Sequence, residues 1–410
     1  MEMSKKSYFF QKHRLVGVFT GIVFSILVGC SRVSTTDTLS HETITPTAFQ
    51  STYTPTILSL MPLLSPTNTP IPPTEALTYH PSSPLLAFTM EFNPFTPDAY
   101  EVIYTIRADG TELTRLVEEP ANSCCPGWSP NGRLIAFLGR DPDNWLFNKL
   151  YVLNYESGNV LQISTEHVGT YTWAPDSQRI AYTEEVASQA YYSDSFPSKV
   201  ILVDLFTGQQ SLLYDASWPI LRLLWSPSSD FILIVPPSGE EDNRLHLLDL
   251  HGNLAQYSLY QRAGSDFAWH PSGEQIAYDT FVDFSHTRSD IRVINVDGTN
   301  DHILIHSDDN SYSPQWSPSG DLLAHIRQPL GGVPRVYITD LRDGRTWLVP
   351  RGRGKPVWSS DGSYLAYYSE TRLIQETGYG LYVYSIENDT AEALVEEYIT
   401  FGWASWQPYP

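Results

Sequence analysis

Basic residues are scarce in this sequence. Lysine and arginine total 25 against 46 aspartates and glutamates, a formal net charge of −21. That balance excludes a nucleic-acid binder, which needs a positive footprint to displace counterions. Cysteine is scarcer still: three in 410 residues cannot staple a fold of this size, so a disulfide scaffold is excluded. Helical periodicity is nearly absent. The sequence also lacks Gly-x-Ser-x-Gly, His-Glu-x-x-His and Cys-x-x-Cys, the common signatures of hydrolase, zinc and redox sites. Asp141, Asp143 and Asn144 begin like a calcium loop, but the twelfth position is Val152 rather than glutamate. A phosphate loop fails as well, because Val349 stands where its first glycine belongs and Pro356 follows Gly354-Lys355. Aromatics make up 13% of the chain and charged residues 17%, too many and too few respectively for a disordered protein.

What is present begins with an address. Lys5, Lys6, Lys12 and Arg14 precede an apolar run from Leu15 to Val28, which ends in Leu27-Val28-Gly29-Cys30. The run is shorter than the ~20 residues that span a bilayer comfortably, and its layout is that of a secretory signal over residues 1–29. The last four residues resemble a bacterial lipobox, which implies that Cys30 is lipidated and holds the exported chain at a membrane. An uncleaved anchor is the alternative. Removing 1–29 leaves 21 bases and 45 acids, a charge of −24. Anionic lipid repels such a body, so attachment is expected through the lipid rather than through charge. Of the 48 residues from 31 to 78, 26 are Ser, Thr or Pro. Together with Cys30 they are expected to form an extended tether, reaching on the order of 40 Å.

From residue 79 onward one unit repeats. Trp128, Trp173, Trp225, Trp269, Trp316, Trp358 and Trp403 are spaced by 45, 52, 44, 47, 42 and 45 residues. The same phrase follows each of the first six: WSPNGRLIAF, WAPDSQRIAY, WSPSSDFILI, WHPSGEQIAY, WSPSGDLLAH and WSSDGSYLAY. Tyr79 opens a related copy, YHPSSPLLAF. Proline presets a tight turn, Asn, Asp, Ser and Gly tolerate its corner, and the apolar triplet after it reads as a short buried strand. The recurrent alanine (Ala87, Ala136, Ala181, Ala277, Ala324, Ala366) marks a close approach between sheets. A further hairpin with an Asp-Gly-like corner completes each copy. Four short antiparallel strands per repeat is the pattern of a propeller blade. The expected fold is all-β: a seven-bladed β-propeller over 79–410, closed by a C-terminal strand at Tyr398–Trp403 that joins the blade begun by residues 84–117.

The set of phrases resembles the TolB-type, WD-like β-propeller repeat. Propellers of prolyl oligopeptidase-type enzymes are similar too. The α/β domain that precedes the TolB propeller has no counterpart in the Ser/Thr/Pro tether, and only seven residues follow Trp403, so neither a TolB role nor an appended hydrolase domain is expected.

Strand alternation separates two faces. The Pro-Asp-Gly turns share one, and the long second-to-third and blade-to-blade connections share the other. Long loops bearing aromatics are where binding usually resides. Phe92, Phe95, Trp145, Phe147, Tyr191, Tyr192, Phe281, Phe284 and Tyr379 are the candidates there; the alternative is that each folds onto its own blade. Arg351, Arg353 and Lys355 form a basic island in an acidic domain, open either to an anionic partner or to pairing with neighbouring acids. Cys124 and Cys125 are adjacent, open to a vicinal disulfide, a reduced pair or pairing between molecules. His325 takes the slot of Phe or Tyr in other repeats and reads as packing.

The leading expectation is therefore a monomeric, membrane-anchored, non-catalytic propeller that binds protein or glycan on its long-loop face, without cofactor or metal. Two others stand beside it. One is a propeller-type lyase or hydrolase acting on polysaccharide in its channel, drawing on His270, His286 and His302; the other is an envelope assembly scaffold.

Overall fold

The computed structural model describes residues 83–92, 100–118, 122–141, 144–185, 197–237, 243–259, 263–282, 288–372, 377–396 and 403–408. At 141, 144–147, 265, 370–372 and 377–379 it describes the backbone alone. The signal, Cys30, the tether and Tyr79 lie outside the described residues.

The turn phrase folds as its composition dictates. In each copy the carbonyl after the tryptophan accepts the N–H three residues on, as Ser129 does from Gly132 at 2.8 Å and Ser317 from Gly320 at 2.9 Å. The residue closing the turn takes positive φ, 67° at Gly132 and 78° at Gly320, while Ser177 and Ser229 accept 61° and 69° in the same slot. The serine after the tryptophan is buried, and its hydroxyl caps the strand that follows, accepting from the N–H of Leu134, Phe231, Leu322 and Tyr364 at 2.9–3.1 Å.

Among the described residues the strands pair into seven four-stranded antiparallel blades. Blade 4 shows the plan: Arg222–Trp225, Phe231–Val235, Arg244–Asp249 and Leu254–Ser258, in that order. The first strands of blades 2 to 7 are Ser123–Trp128, Val168–Trp173, Arg222–Trp225, Ala263–Trp269, Asn310–Trp316 and Val357–Trp358. Blade 1 takes its first strand from the other end of the chain, Ala404–Trp406, which pairs with Leu85–Phe92. One parallel bridge, Ser289 to Asn310, joins blades 5 and 6 at their rim. No helix among the described residues is long and apolar enough to cross a membrane.

The closing strand corrects the sequence register. Trp406, not Trp403, occupies the repeat position. It pairs with Leu86, the residue before the recurrent alanine, as Trp128 pairs with Ile135 and Trp358 with Leu365. Trp406 is 5% exposed and Trp403 55%. A spacing of 45 and one of 48 both fit the lattice, and no turn phrase follows the last copy to break the tie. Cross-strand pairing breaks it.

Hydrogen bonds link the first strands into a complete circuit. The indoles of Trp173, Trp269, Trp358 and Trp406 donate to the carbonyls of Gly127, Leu224, Gln315 and Val357 in the preceding blade, at 2.9–3.0 Å. Trp128 N–H donates to Ser405 Oγ at 3.1 Å, Trp225 N–H to Thr172 Oγ1 at 3.2 Å, and Ser313 Oγ to Asp266 Oδ2 at 2.6 Å. The recurrent alanines are essentially inaccessible and lie opposite these acceptor positions, so a larger side chain there would obstruct the neighbouring blade. The core is accordingly a series of inter-blade clusters, such as that of Ile135, Phe137 and Trp128 against Ala87 and Ile103.

Candidate functional site

The residue three places before each repeat tryptophan sits where a first strand enters the blade. In chain order from blade 2, these residues are Cys125, Thr170, Arg222, Asp266, Ser313, Lys355 and, closing blade 1, Trp403. Asp266 is the hub. It receives Arg222 Nη1 at 2.9 Å and Lys355 Nζ at 3.2 Å on Oδ1, and Ser313 Oγ at 2.6 Å on Oδ2. Arg222 also donates to the Phe267 carbonyl at 3.2 Å. Lys355 belongs to blade 7 and reaches past blade 6 to blade 5, so these side chains meet on the central axis.

A second carboxylate lies beneath. Asp279, on the second strand of blade 5, accepts the Asp266 N–H at 3.1 Å and is 5% exposed. Gly264 faces it so closely that any Cβ there would collide with the Asp279 carboxylate. The two acids are driven apart in proton affinity. Burial pushes Asp266 up, but the charges of Lys355 and Arg222 and the Ser313 bond outweigh it and hold Asp266 below the usual carboxylate range. Burial and the Asp266 charge push Asp279 up to about 8. Burial, reinforced by Arg222, lowers Lys355. Tyr312, beside the cluster, is pushed up to about 12 by burial and both carboxylates. The side chains of Lys355, Asp266 and Arg222 are 38%, 20% and 14% exposed, so solvent reaches the cluster. The cluster thus joins a carboxyl held toward its charged form, Asp266, and one held toward its protonated form, Asp279, with the Lys355 amine and the Arg222 guanidinium.

The sequence candidates fare unevenly. The basic island separates: Lys355 enters the channel, Arg351 lies over the Tyr382 ring at 5.8 Å, and the Arg353 backbone N–H bonds to the Tyr368 carbonyl at 3.3 Å. Phe92 stacks on its cross-strand partner Tyr100 at 5.1 Å, and Phe281 is half-buried opposite Ser289, so both pack at the ends of their own hairpins. Trp145, Phe147 and Tyr379 are not loop residues. Pairing continues past the expected loop starts, through Arg140–Asn148 and Glu370–Tyr379, and places all three in third strands. Phe95, Tyr191, Tyr192 and Phe284 lie outside the described residues. Cys124 and Cys125 are free thiols with their sulfurs 2.6 Å apart.

Of the histidines that the sequence singled out, the described ones, His270 and His302, lie away from the Asp266 cluster. His270 packs edge-on against Trp316 at the turn face, His302 bonds the Asn300 carbonyl on the surface, and His286 lies outside the described residues. His325 packs as expected, wholly buried, with Nε2 3.1 Å from Thr339 Oγ1. Among the described residues no three His, Cys, Asp or Glu side chains gather as metal ligands. Asp266 and Asp279 carry no motif of their own. Aligning the repeats on tryptophan and reading the third position before it is the one sequence signal that leads to the ring.

The comparisons agree with this architecture. The chain superimposes on an acylaminoacyl peptidase from Pyrococcus horikoshii with a TM-score of 0.58, at 13% identity, over 77% of this chain and 51% of that one. An oligogalacturonate lyase in complex with manganese gives 0.51 at 15% identity, over 71% and 80%. TolB from Acinetobacter baumannii gives 0.50 at 15% identity, over 80% and 67%. The chain has the TolB-type β-propeller fold. In sequence it is 20% identical over 273 residues to dipeptidyl-peptidase 5 of Porphyromonas gingivalis, covering 62% of this chain and 38% of that protein. The chain thus spans well under half the length of that relative. No family model matches it. The expectation of a non-catalytic protein is corrected here, because two peptidases and a lyase stand among the proteins it resembles.

Proposed function

We propose that this propeller is an enzyme of the lyase or hydrolase class, acting in its channel on a polysaccharide that carries carboxylates. One observation carries the reading: Asp266 gathers Arg222 and Lys355 from two other blades at 2.9 and 3.2 Å, with a second, buried carboxyl, Asp279, bonded beneath it at 3.1 Å. Elimination next to a uronate carboxylate needs such a set. A base removes the proton α to the carboxylate, that electron pair forms a C=C bond, and the C–O bond to the leaving sugar breaks as its oxygen gains a proton. Lys355, whose charged form burial and Arg222 disfavour, suits the base in its neutral amine form. Asp279 suits the acid, and Arg222 steadies the carboxylate as negative charge develops on it. The likeness to an oligogalacturonate lyase supports this reading. The match to a dipeptidyl-peptidase favours a second one, in which the same cations receive a peptide carboxylate.

On the same reading the enzyme is exported and held at a membrane by lipid on Cys30, with residues 31–78 as its tether. The test incubates membranes bearing the full chain with polyuronates and, separately, with peptide substrates. Unsaturated uronide products are expected from the parent, and about a hundredfold fewer or less from Lys355→Met and Asp279→Asn. Cys30→Ser is expected to shift the activity to the soluble fraction. Peptide cleavage alone selects the second reading; neither activity, in a folded chain, overturns both.

A further inference from the structure

Cys124 and Cys125 take no part in the chemistry above. They are consecutive in the first strand of blade 2, where pairing with the second strand slips between Cys124 and Gly127. Cys125 occupies the ring position three places before Trp128 and takes a φ of 61°. Both residues are half-buried. The pair also ties three blades together. The Cys125 N–H donates to Thr89 Oγ1 of blade 1 at 3.3 Å, and its carbonyl accepts the Tyr171 hydroxyl of blade 3 at 2.6 Å.

We propose that Cys124 and Cys125 are a redox site that small-molecule disulfides convert reversibly into a vicinal disulfide. In the first step the Cys125 thiolate attacks one sulfur of the small disulfide, releasing one small thiol and leaving a mixed disulfide on Cys125. Cys124 then attacks the Cys125 sulfur and expels the second small thiol. The protein dithiol loses two electrons and two protons, and one small disulfide becomes two small thiols. The order follows from the environment. The contact with Cys125, together with burial, pushes the Cys124 thiol up, which makes it the donor to its neighbour and the resolving group. The ring that forms contains the peptide whose N–H reaches Thr89, so oxidation acts directly on the contact between blades 1 and 2.

The test exposes the full chain to oxidised glutathione and then to a phosphine reductant, followed by intact mass and peptide mapping. The expected result is a loss of two hydrogens, both cysteines protected from alkylation within one peptide, full reversal by reductant, and faster hydrogen exchange at the Cys125 amide. Cys30→Ser should behave as the parent. Cys124→Ser should instead stop at a glutathione adduct on Cys125, and Cys125→Ser should form the adduct on Cys124 far more slowly. A stable adduct on the parent, a linked dimer, no mass change, or dependence on Cys30 overturns the proposal. The parent measurement decides it even if a serine variant fails to fold.

Discussion

Asp279 is the buried acid of the cluster, and its raised proton affinity has a consequence for stability. Its folded pKa lies above the ordinary value, so its protonated form is favoured in the native state. Stability from this group is present at about pH 4 and is lost as pH rises toward about 8. His325 acts at the other limb. Burial lowers it to about 3, so its contribution is present above its ordinary value of 6.5 and is lost as pH falls below that. Asp279→Asn keeps the shape and removes the titration. Urea midpoints across pH 4 to 8 are therefore expected to fall less with rising pH in Asp279→Asn than in the parent, by up to about 1.4 kcal/mol per pH unit. Parallel profiles would contradict the assignment. At this scale the sequence was only half legible. Lys355 stood out as a base in an acidic domain, but its partner Asp266 is 89 residues away and enters by topology alone.

At the scale of the element, the tryptophan strand unites a turn signal, a buried plug and a bond to the preceding blade. Trp406 shows all of this except the turn: 5% exposure and an indole bond of 3.0 Å to Val357. Trp403 shows none of it. Trp406→Ala is expected to cost about 3–5 kcal/mol in denaturant unfolding, whereas Trp403→Ala should stay within about 0.5 kcal/mol of the parent. The reverse order would restore the sequence-based register. The turns were legible because Pro, Asp, Ser and Gly impose local backbone preferences. The extents of the long hairpins were not, because pairing past Arg140 and Glu370 depends on partner strands rather than on loop composition.

For the whole molecule, closure is the controlling event. The strand Ala404–Trp406 covers the edge of Leu85–Phe92 and receives the Trp128 N–H through Ser405. Removing 403–410 is expected to leave that edge open and to replace one cooperative thermal transition with broad, early melting and aggregation. A truncated chain that melts like the parent would mean that closure is dispensable. The sequence by itself determined the number of blades, the turn at each corner and the all-β class, because period, proline and glycine act locally and repeat. The tertiary structure alone decided which tryptophan closes the ring and which charges meet on the axis. Those outcomes depend on side chains from different blades converging, and the distance along the chain between Lys355 and Asp266, or between Trp406 and Leu86, carries no trace of it.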